Sequence, residues 1–451
     1  MTASAPPTPG IPRSALVSGP LTSSILRLAL PAVGTSLLQL AFLLVDTFWV
    51  GRILGSDALA AVSTAGFAVW MMAALAEMVA VGLTAVAARR HGEGAHGMAA
   101  VVAGTTLLLG LALGVVVGLG GWLLVPSLFE VMKTPAAVTE LGRLYLTAYL
   151  AGAPLVFGFF AAEATFRASG DTRTPLILLG TSVILNAGLD PLLITGAGPL
   201  PALGIAGAAV AAVLTRGAAL AMGFVILARR RLVRLTVFDW RSAFTALRIG
   251  LPVAFTGVFF SLVYIGLTRI TTRFGVPALA ALGIGHKLEG LSYMVAVGFG
   301  LASAAVVGQN LGAGRVDRAR AAGWLTASYA AGLGAIVGVA FVAFPDVMVG
   351  IFTDDPAVIA DGAMYLRALA LAQISMGFEI VLESALGGAG YTVMPMLWNG
   401  VFTAARIPLA AWLAGALGVA GVWWAIGLTA VARGIAMALL WRGERWQRVR
   451  I

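Results

Sequence analysis

The chain has 451 residues, of which 60% are hydrophobic and only 11% are charged, and its mean hydropathy is +0.97. Soluble globular domains carry about 25% charged residues, so this composition excludes an ordinary water-soluble protein. The absence of cysteine excludes disulfide bonds and thiolate metal sites, and the formal net charge is +10.

Twelve apolar stretches follow one another along the chain, each close to the roughly 20 residues that a helix needs to cross a bilayer. The predicted spans are 26–50, 59–88, 98–125, 140–162, 174–195, 203–228, 247–272, 279–308, 320–344, 358–386, 393–414 and 419–441. The sequence therefore predicts an all-α integral membrane protein with twelve transmembrane helices.

Polar segments divide these spans into two groups of six. Residues 1–24 begin with a run rich in proline, serine and threonine that lacks the pattern of a signal peptide, so we expect a disordered cytoplasmic tail. Two six-helix bundles are predicted at 25–228 and 247–442, joined by a basic cytoplasmic linker at 229–246. Residues 443–451 are predicted to form a second cytoplasmic tail.

The two halves repeat one another at a distance of roughly 220 residues. Leu26–Pro31 returns as Leu247–Pro252, and Ala58–Val62 returns as Ala278–Leu282. Because six is an even number of helices, both halves start on the same side of the membrane, and the repeat is parallel. Such repeats are typical of transporters that rock one bundle against the other, so we expect a cleft between the bundles.

The basic residues indicate the orientation. If the amino terminus is inside, most of the 29 lysines and arginines fall in inner segments, and the outer segments carry mainly acids. The positive-inside rule then places both termini in the cytoplasm, and we expect a multi-pass protein of the cell inner (plasma) membrane. The net charge is accounted for as a topology signal, which argues against a nucleic-acid partner.

Two aspartates interrupt the predicted spans, where a charge at the helix centre costs about 2.5–3.5 kcal/mol on insertion scales and is seldom kept without a role. Asp46 lies near the outer end of the first span, and Asp190 lies in the outer half of the fifth. Asn186 precedes Asp190 by one helical turn, so both project from one face. These three residues are predicted to hold one small cation, H+ or Na+.

Prolines accompany both acids. Pro31 and Pro191 each leave the carbonyl four residues earlier without its helical partner. Since Pro31 shares a helix with Asp46, a kink there predicts a moving part. The alternative is structural: Asp46 faces the headgroup region, and Asn186 only bonds a neighbouring helix.

The second half does not repeat these polar groups. The residues at the positions of Asp46, Asn186 and Asp190 are Leu267, Arg406 and Ala410. We therefore predict that repetition preserves the scaffold, while the ion chemistry is confined to the first half.

Other charges within the spans have weaker patterns. Glu163 precedes Arg167 by four residues, a spacing that favours a helical ion pair over substrate contact. Glu379 and Glu383 lie one turn apart and, if both face the cleft, could attract a cationic substrate or share a proton. The remaining charges are predicted to form buried or interfacial pairs: Glu77, Arg216, Arg269, Lys287, Glu289, Arg406 and Arg433.

Several segments together carry a resemblance to a known family. Leu28–Pro31, Val45–Arg52 and Ala58–Val62 resemble the first-helix signature of the multidrug and toxic compound extrusion (MATE) transporters. Val307–Gly314 resembles that family's motif between helices 8 and 9, and Gly388–Thr392 with Pro395 resembles its motif between helices 10 and 11. The resemblance covers about residues 25 to 442.

This resemblance implies a V-shaped pair of six-helix bundles that exchanges cytosolic drugs for external H+ or Na+. Within the family, the chain is similar to the DNA-damage-inducible-F branch, in which a helix-1 proline and aspartate act with Asn-x-x-x-Asp on helix 5. The matching positions are Pro31, Asp46, Asn186 and Asp190. The NorM branch relies on a helix-7 carboxylate, and this chain has no acid between Leu247 and Arg273.

The branch also implies that a helix-4 tyrosine lines the cavity, for which Tyr145 is the best match. Glu163, Glu379 and Glu383 are the other candidates for the cavity lining. We expect no cofactor and no bound metal, apart from a possible Na+ at the three candidate coupling residues.

The predicted function is a cation-coupled antiporter that exports apolar or cationic small molecules from the cytoplasm. We expect small-molecule substrates and membrane lipids as partners, and a functional monomer. The alternative on the same architecture is a flippase or exporter of lipid-linked or amphiphilic compounds. Enzyme activity is not expected, since neither an H-E-x-x-H nor a G-x-S-x-G motif occurs. A passive channel is a third rival, but it would not need a paired acid site at a kinked helix.

Overall fold

The computed structural model of the protein describes residues 15–132, 134–196 and 201–451. Within these residues the secondary structure is helical and contains no strand. The membrane spans, numbered α1 to α12 in chain order, are α1 (Leu21–Leu54), α2 (Ser56–Gly92), α3 (His96–Met132), α4 (Ala136–Ala151 with Ala153–Ser169), α5 (Arg173–Thr195), α6 (Ile205–Arg229), α7 (Trp240–Thr271), α8 (Val276–Gly312), α9 (Val316–Ala343), α10 (Pro356–Gly388), α11 (Val393–Leu417) and α12 (Val419–Arg442). Eleven helices of the described chain are individually long and apolar enough to cross a membrane, and α4 makes a twelfth when its two pieces count as one span.

The span α4 is broken, where the sequence predicted one continuous helix over 140–162. Its two pieces meet at Gly152 with a bend of 52°. Pro154 lies in the first turn of the second piece and has no N–H to donate to the carbonyl of Leu150, so the helix cannot continue regularly. Gly152 also packs directly against Val213 of α6, which leaves no room for a side chain there.

The expectation of a disordered tail over residues 1–24 is wrong for its described part. Ala15–Ser18 form one helical turn, and α1 already begins at Leu21. The backbone carbonyls of this segment are bound by the second half: Arg315 donates to the carbonyl of Val17 at 2.9 Å, and Arg318 donates to that of Leu16. Hydrogen bonds to arginine order the backbone here despite its polar sequence. Residues 1–14 lie outside the described residues.

The carboxyl-terminal segment, which belongs to the second half, contacts the first half. Trp446 is buried and stacks on Trp441 with ring centroids 4.0 Å apart. The following segment reaches the first half, where Arg89 of α2 donates to the carbonyl of Val449 at 2.6 Å. Both ends of the described chain therefore contact the half to which they do not belong.

The first helix of each half also packs into the core of the other half. Ile25 and Leu28 of α1 belong to an apolar cluster built mainly from α8, α9, α10 and α12. Ile249 and Ala254 of α7 belong to a cluster built mainly from α2, α3 and α4. These contacts come from the amino-terminal halves of α1 and α7, so the first helix of each half is anchored in the other half near its start.

Glycines allow the two backbones to touch at this junction, and they do so reciprocally. A Cβ at Gly92 of α2 would overlap the carbonyl oxygen of Gln309 in α8, and a Cβ at Gly312 of α8 would overlap that of Arg89 in α2. Gly92 and Gly312 are repeat mates, as are Arg89 and Gln309. The parallel repeat is thus visible as two equivalent backbone contacts.

We expect Gly92→Ala and Gly312→Ala each to destabilise this junction. Overpacking of this kind costs about 1–3 kcal/mol, so the apparent melting temperature of the purified protein should fall. Gly97→Ala is the matched control, because a Cβ there meets no atom within 4 Å. An unchanged melting temperature in both junction variants would contradict the reciprocal contact.

The turn before α5 is fixed by one carboxylate. Asp171 accepts backbone hydrogen bonds from Arg173 and Thr174, both at 3.0 Å, and pairs with Arg230 beyond α6 at 2.6 Å. Partial burial alone would raise the pKa of Asp171, but the hydrogen bonds from Thr174 and Arg230 hold it below its ordinary value. Asp171 therefore ties the start of α5 to the end of α6.

Because its folded pKa is lowered, Asp171 should stabilise the protein above the ordinary aspartate pKa, and this contribution should disappear as pH falls through the lowered value. We expect Asp171→Ala to cost about 1–2 kcal/mol at neutral pH. The melting temperature of Asp171→Ala, measured from pH 7 down to pH 3, should approach that of the wild type as the pH falls. The exposed Asp317→Ala is the control and should show neither the loss nor the convergence.

Candidate functional site

Four helices of the first half bring their polar side chains together in its interior. Asp46 comes from α1, Tyr145 from α4, Asn186 and Asp190 from α5, and Thr215 from α6. Asp46 is 3% exposed, and Asn186 and Asp190 are fully buried. The three residues predicted to couple ions thus share one buried polar site with the predicted helix-4 tyrosine.

The two α5 residues are joined as their spacing predicted. The side-chain nitrogen of Asn186 donates to Asp190 Oδ2 at 2.8 Å. The amide oxygen of Asn186 accepts from Thr215 Oγ1 at 3.4 Å, a long hydrogen bond that turns this oxygen toward α6. The amide therefore offers Asp190 a donor rather than a second oxygen ligand.

Asp46 is held by the tyrosine of α4. The hydroxyl of Tyr145 donates to Asp46 Oδ2 at 3.1 Å, and this bond is buried. The sequence placed Tyr145 only through the family resemblance, and the structure joins it directly to the acid of α1. Asp46 and Asp190 are also close enough for their negative charges to repel each other.

One oxygen of each aspartate remains without a protein partner. Asp46 Oδ1 and Asp190 Oδ1 are buried and accept no hydrogen bond. Two buried carboxylates at close range are unfavourable unless a proton, a cation or a donor compensates them. The arrangement can therefore take up positive charge. Among the described residues, no group of three or more acidic, histidine or cysteine side chains could hold a metal ion.

A fixed cation, Arg216, borders the site. From the sequence, Arg216 was predicted only to form a buried or interfacial ion pair. Arg216 of α6 donates to the hydroxyl of Tyr149, whose ring stacks on Tyr145 at 6.1 Å. Its guanidinium carbon lies 4.5 Å from the ring centre of Phe42, one helical turn before Asp46. Arg216 therefore faces the same interior as the acids. The sequence signal for this position was a charged residue in the middle of an apolar span.

The prolines lie within helices that continue past them. Pro31 is inside α1, and its carbonyl accepts from Thr35 Oγ1 at 3.0 Å. Pro191 is inside α5, and its carbonyl accepts from Thr195 Oγ1 at 2.8 Å. The kink predicted at Pro31 stays a prediction.

Glu163 of α4, another acid inside the first half, is paired. Glu163 is buried and lies 3.7 Å from Arg167, one turn further along α4, so the predicted helical ion pair is present. Neither oxygen of Glu163 has a hydrogen-bond partner. Glu77 of α2 lies near enough to interact electrostatically with Glu163.

The acids of α10 are held differently from each other. Glu379 forms an ion pair with Arg433 of α12 at 3.0 Å. Glu383 is half-buried and interacts with Asn399 of α11. Because Glu379 already has a cationic partner, these two carboxylates are not equivalent. Their assignment to the cavity lining stays a prediction.

A chain of apolar helices in two repeated bundles, with charged groups buried inside each bundle, is the architecture of a secondary transporter. The chain belongs to the MATE transporter family: the MatE family model matches residues 31–192 and 252–412, which takes in most of both halves. The protein is therefore a multi-pass membrane transporter of the multidrug type and not an enzyme.

Curated relatives match nearly the whole chain. The "Probable multidrug resistance protein YpnP" of Bacillus subtilis is 25% identical over 96% of this chain and 97% of that protein. The "FAD transporter" of Shewanella oneidensis is 28% identical over 94% and 95% of the two chains. The "Probable multidrug resistance protein NorM" of Pseudomonas aeruginosa is 30% identical over 94% and 90%.

Solved structures share the fold. A MATE transporter in the straight conformation superposes with a TM-score of 0.87 at 24% identity, covering 96% of this chain and 98% of that one. The Vibrio cholerae MATE transporter VcmN in the bent form superposes with a TM-score of 0.88 at 21% identity over the same shares. These similarities confirm the predicted all-α fold of two six-helix bundles.

The bond between Tyr145 and Asp46 predicts an energetic coupling. We expect Tyr145→Phe to destabilise the protein by about 1–2 kcal/mol, because a buried carboxylate loses its donor. In an Asp46→Asn background the same substitution should cost less, and a double-mutant cycle on melting data isolates the difference.

Tyr329→Phe in α9 controls for the loss of a tyrosine hydroxyl elsewhere. Additive effects of the two substitutions at the site would show that Tyr145 and Asp46 do not interact in the folded protein.

Proposed function

We propose that this protein is a cation-coupled antiporter that exports apolar or cationic small molecules from the cytoplasm by alternating access. Family membership and the multidrug names of several relatives support export of this kind. The proposal places the protein in the plasma membrane with both termini in the cytoplasm, in line with the distribution of basic residues.

The observation that carries the proposal is the pair of buried aspartates with one unpartnered oxygen each. Loading positive charge on Asp46 and Asp190 removes their mutual repulsion and the cost of their burial. The energy of the site therefore depends on whether an external cation occupies it.

The helix that carries Asp46 also contacts the other half. The backbone of α1 at Val33 packs against Gly298 of α8, with no space for a side chain at that glycine. Thr172, before α5, donates to the carbonyl of Leu28 at 2.9 Å. A change in α1 on cation binding would thus reach both the α5 segment and the junction between the halves, which is the link that alternating access requires.

We further propose that the coupling ion is the proton. The groups around the two aspartates present donors to them: the hydroxyl of Tyr145 to Asp46 and the amide nitrogen of Asn186 to Asp190. Arg216 adds a fixed positive charge nearby. Hard metal cations require several oxygen ligands, whereas a proton needs only one carboxylate oxygen.

In the proposed cycle, the substrate-loaded cavity opens outward, protons from outside neutralise Asp46 and Asp190, α1 bends near Pro31, and the substrate is expelled. The protonated protein then returns to the inward-facing state and releases the protons inside. With a membrane potential of about 100 mV, each entering charge releases roughly 2.3 kcal/mol. That energy is enough for about a 50-fold gradient of a neutral substrate if coupling is complete.

Substrate counterflow in proteoliposomes tests the coupling, with pH and Na+ gradients imposed separately. We expect a pH gradient to drive accumulation of a cationic dye, and a Na+ gradient alone to be ineffective. Asp46→Asn and Asp190→Asn should each reduce the pH-driven rate by about ten-fold or more, as expected when a required protonation step is removed. FAD belongs in the same substrate panel because one relative carries the name FAD transporter.

Asp354→Asn, an exposed carboxylate in the loop before α10, is the matched control and should transport at the wild-type rate. Both site variants must retain the wild-type melting profile for the comparison to hold. Full pH-driven accumulation by either folded variant would remove that aspartate from the mechanism. Accumulation driven by Na+ alone would overturn the choice of proton.

A further inference from the structure

The second half repeats a polar pair of the acid site, but with a positively charged side chain in place of the amide. Asn186 and Thr215 of the first half correspond to Arg406 of α11 and Thr429 of α12. Arg406 Nε donates to Thr429 Oγ1 at 2.9 Å. This contact between α11 and α12 is equivalent to the one between Asn186 and Thr215 in the first half. Repetition has preserved the position, while a guanidinium has replaced the amide.

Arg406 is buried, and no acidic side chain of the described residues forms an ion pair with it. The residue is 4% exposed, and its Nη2 has no hydrogen-bond partner. Arg433, by contrast, is paired with Glu379 at 3.0 Å. A buried cation that is neither paired nor fully hydrogen-bonded is unfavourable, and it is rarely kept in a membrane protein without a role.

The nearest acids are engaged by other groups. Glu289 of α8 accepts from the hydroxyl of Tyr365 at 2.6 Å and from the amide of Gln373 at 3.4 Å. Glu379 binds Arg433 through one terminal nitrogen, and two donors of this network keep no hydrogen-bond partner, Arg406 Nη2 and Arg433 Nε. These acids lower the repulsion between the two arginines without contacting Arg406.

Aromatic side chains lead from the surface to Arg406. His286 of α8 is 51% exposed, and its ring lies 4.9 Å from that of Tyr264 on α7. Phe260, one turn before Tyr264, has its ring centre 6.0 Å from the guanidinium carbon of Arg406. His286, Tyr264 and Phe260 thus form a continuous row of rings that runs from the exposed edge of α8 to Arg406.

We propose that Arg406 is a substrate subsite that binds a carboxylate, with the aromatic body of the substrate against Phe260 and Tyr264. A guanidinium binds a carboxylate through directed, charge-assisted hydrogen bonds, and its unused Nη2 supplies the first of them. This inference rests on the proposed export function and adds amphipathic aromatic acids and zwitterions to its substrates. The first half would then bind the coupling cation, and the second half would bind the acidic group of the cargo.

Equilibrium binding of two matched fluorescent probes tests the subsite in lipid nanodiscs, with no ion gradient present. The probes are dansyl-phenylalanine, which carries a carboxylate, and dansyl-phenylalaninamide, which is neutral and of nearly the same size. We expect the wild type to bind the acid at least about ten-fold more tightly than the amide. In Arg406→Gln the two probes should bind within about two-fold of each other, because the charge is gone while a polar side chain remains.

Arg367→Gln removes an exposed arginine of α10 and should keep the wild-type preference. Arg406→Lys retains the charge and should keep part of the preference, and it provides a second variant if Arg406→Gln does not fold. Equal binding of the two probes by the wild type would overturn the subsite, as would an unchanged preference in folded Arg406→Gln. Asp46→Asn should keep the preference, so a failure of ion coupling and a failure of this subsite give different results.

Discussion

One constraint governs the structure, the high free-energy cost of burying an uncompensated charge in an apolar helix bundle. A bundle that is 60% hydrophobic must compensate each buried ionic group locally, since neither water nor lipid tails can do so. Most groups are compensated, as Glu163 is by Arg167 and Glu379 is by Arg433. Several buried charged groups nevertheless keep atoms without a hydrogen-bond partner, among them one oxygen on each of the two aspartates in the first half and Nη2 of Arg406 in the second. We propose that a cation binds at the two aspartates and an anion at Arg406, because each bound charge would offset the cost of these unsatisfied atoms.

The repeat explains how one scaffold came to carry two kinds of chemistry. Tyr145 and Tyr365 are repeat mates, and each donates to a carboxylate, the buried Asp46 in one case and the partly buried Glu289 in the other. Duplication therefore fixed the positions of donors on α4 and α10. The residues one layer away then diverged, with Asn186 and Asp190 in the first half and Arg406 and Ala410 at the matching positions of the second.

Much of this arrangement could be predicted from the sequence, because helix periodicity and the cost of an intramembrane charge are local properties. The turn that joins Asn186 to Asp190, and the pairing of Glu163 with Arg167, follow from their four-residue spacing. Contacts between helices could not be obtained in this way. The position of Arg216 over Phe42, and the engagement of Glu379 by Arg433, depend on how helices rotate against one another. The bend at Gly152 required the joint effect of Pro154 and of close packing against α6.

The crossed chain ends have a mechanical consequence. The segment before α1 is bound by Arg315, which precedes α9, and by Arg318 of α9, and the segment after α12 is bound by Arg89 of α2. These two end segments, which act as straps between the halves, lie beside the reciprocal glycine contacts. Separating the halves there must therefore break both sets of hydrogen bonds together. The barrier to exposing that side of the transporter is therefore set partly by residues remote from any ligand, and shortening either strap would alter the dwell time of each state without touching its binding chemistry.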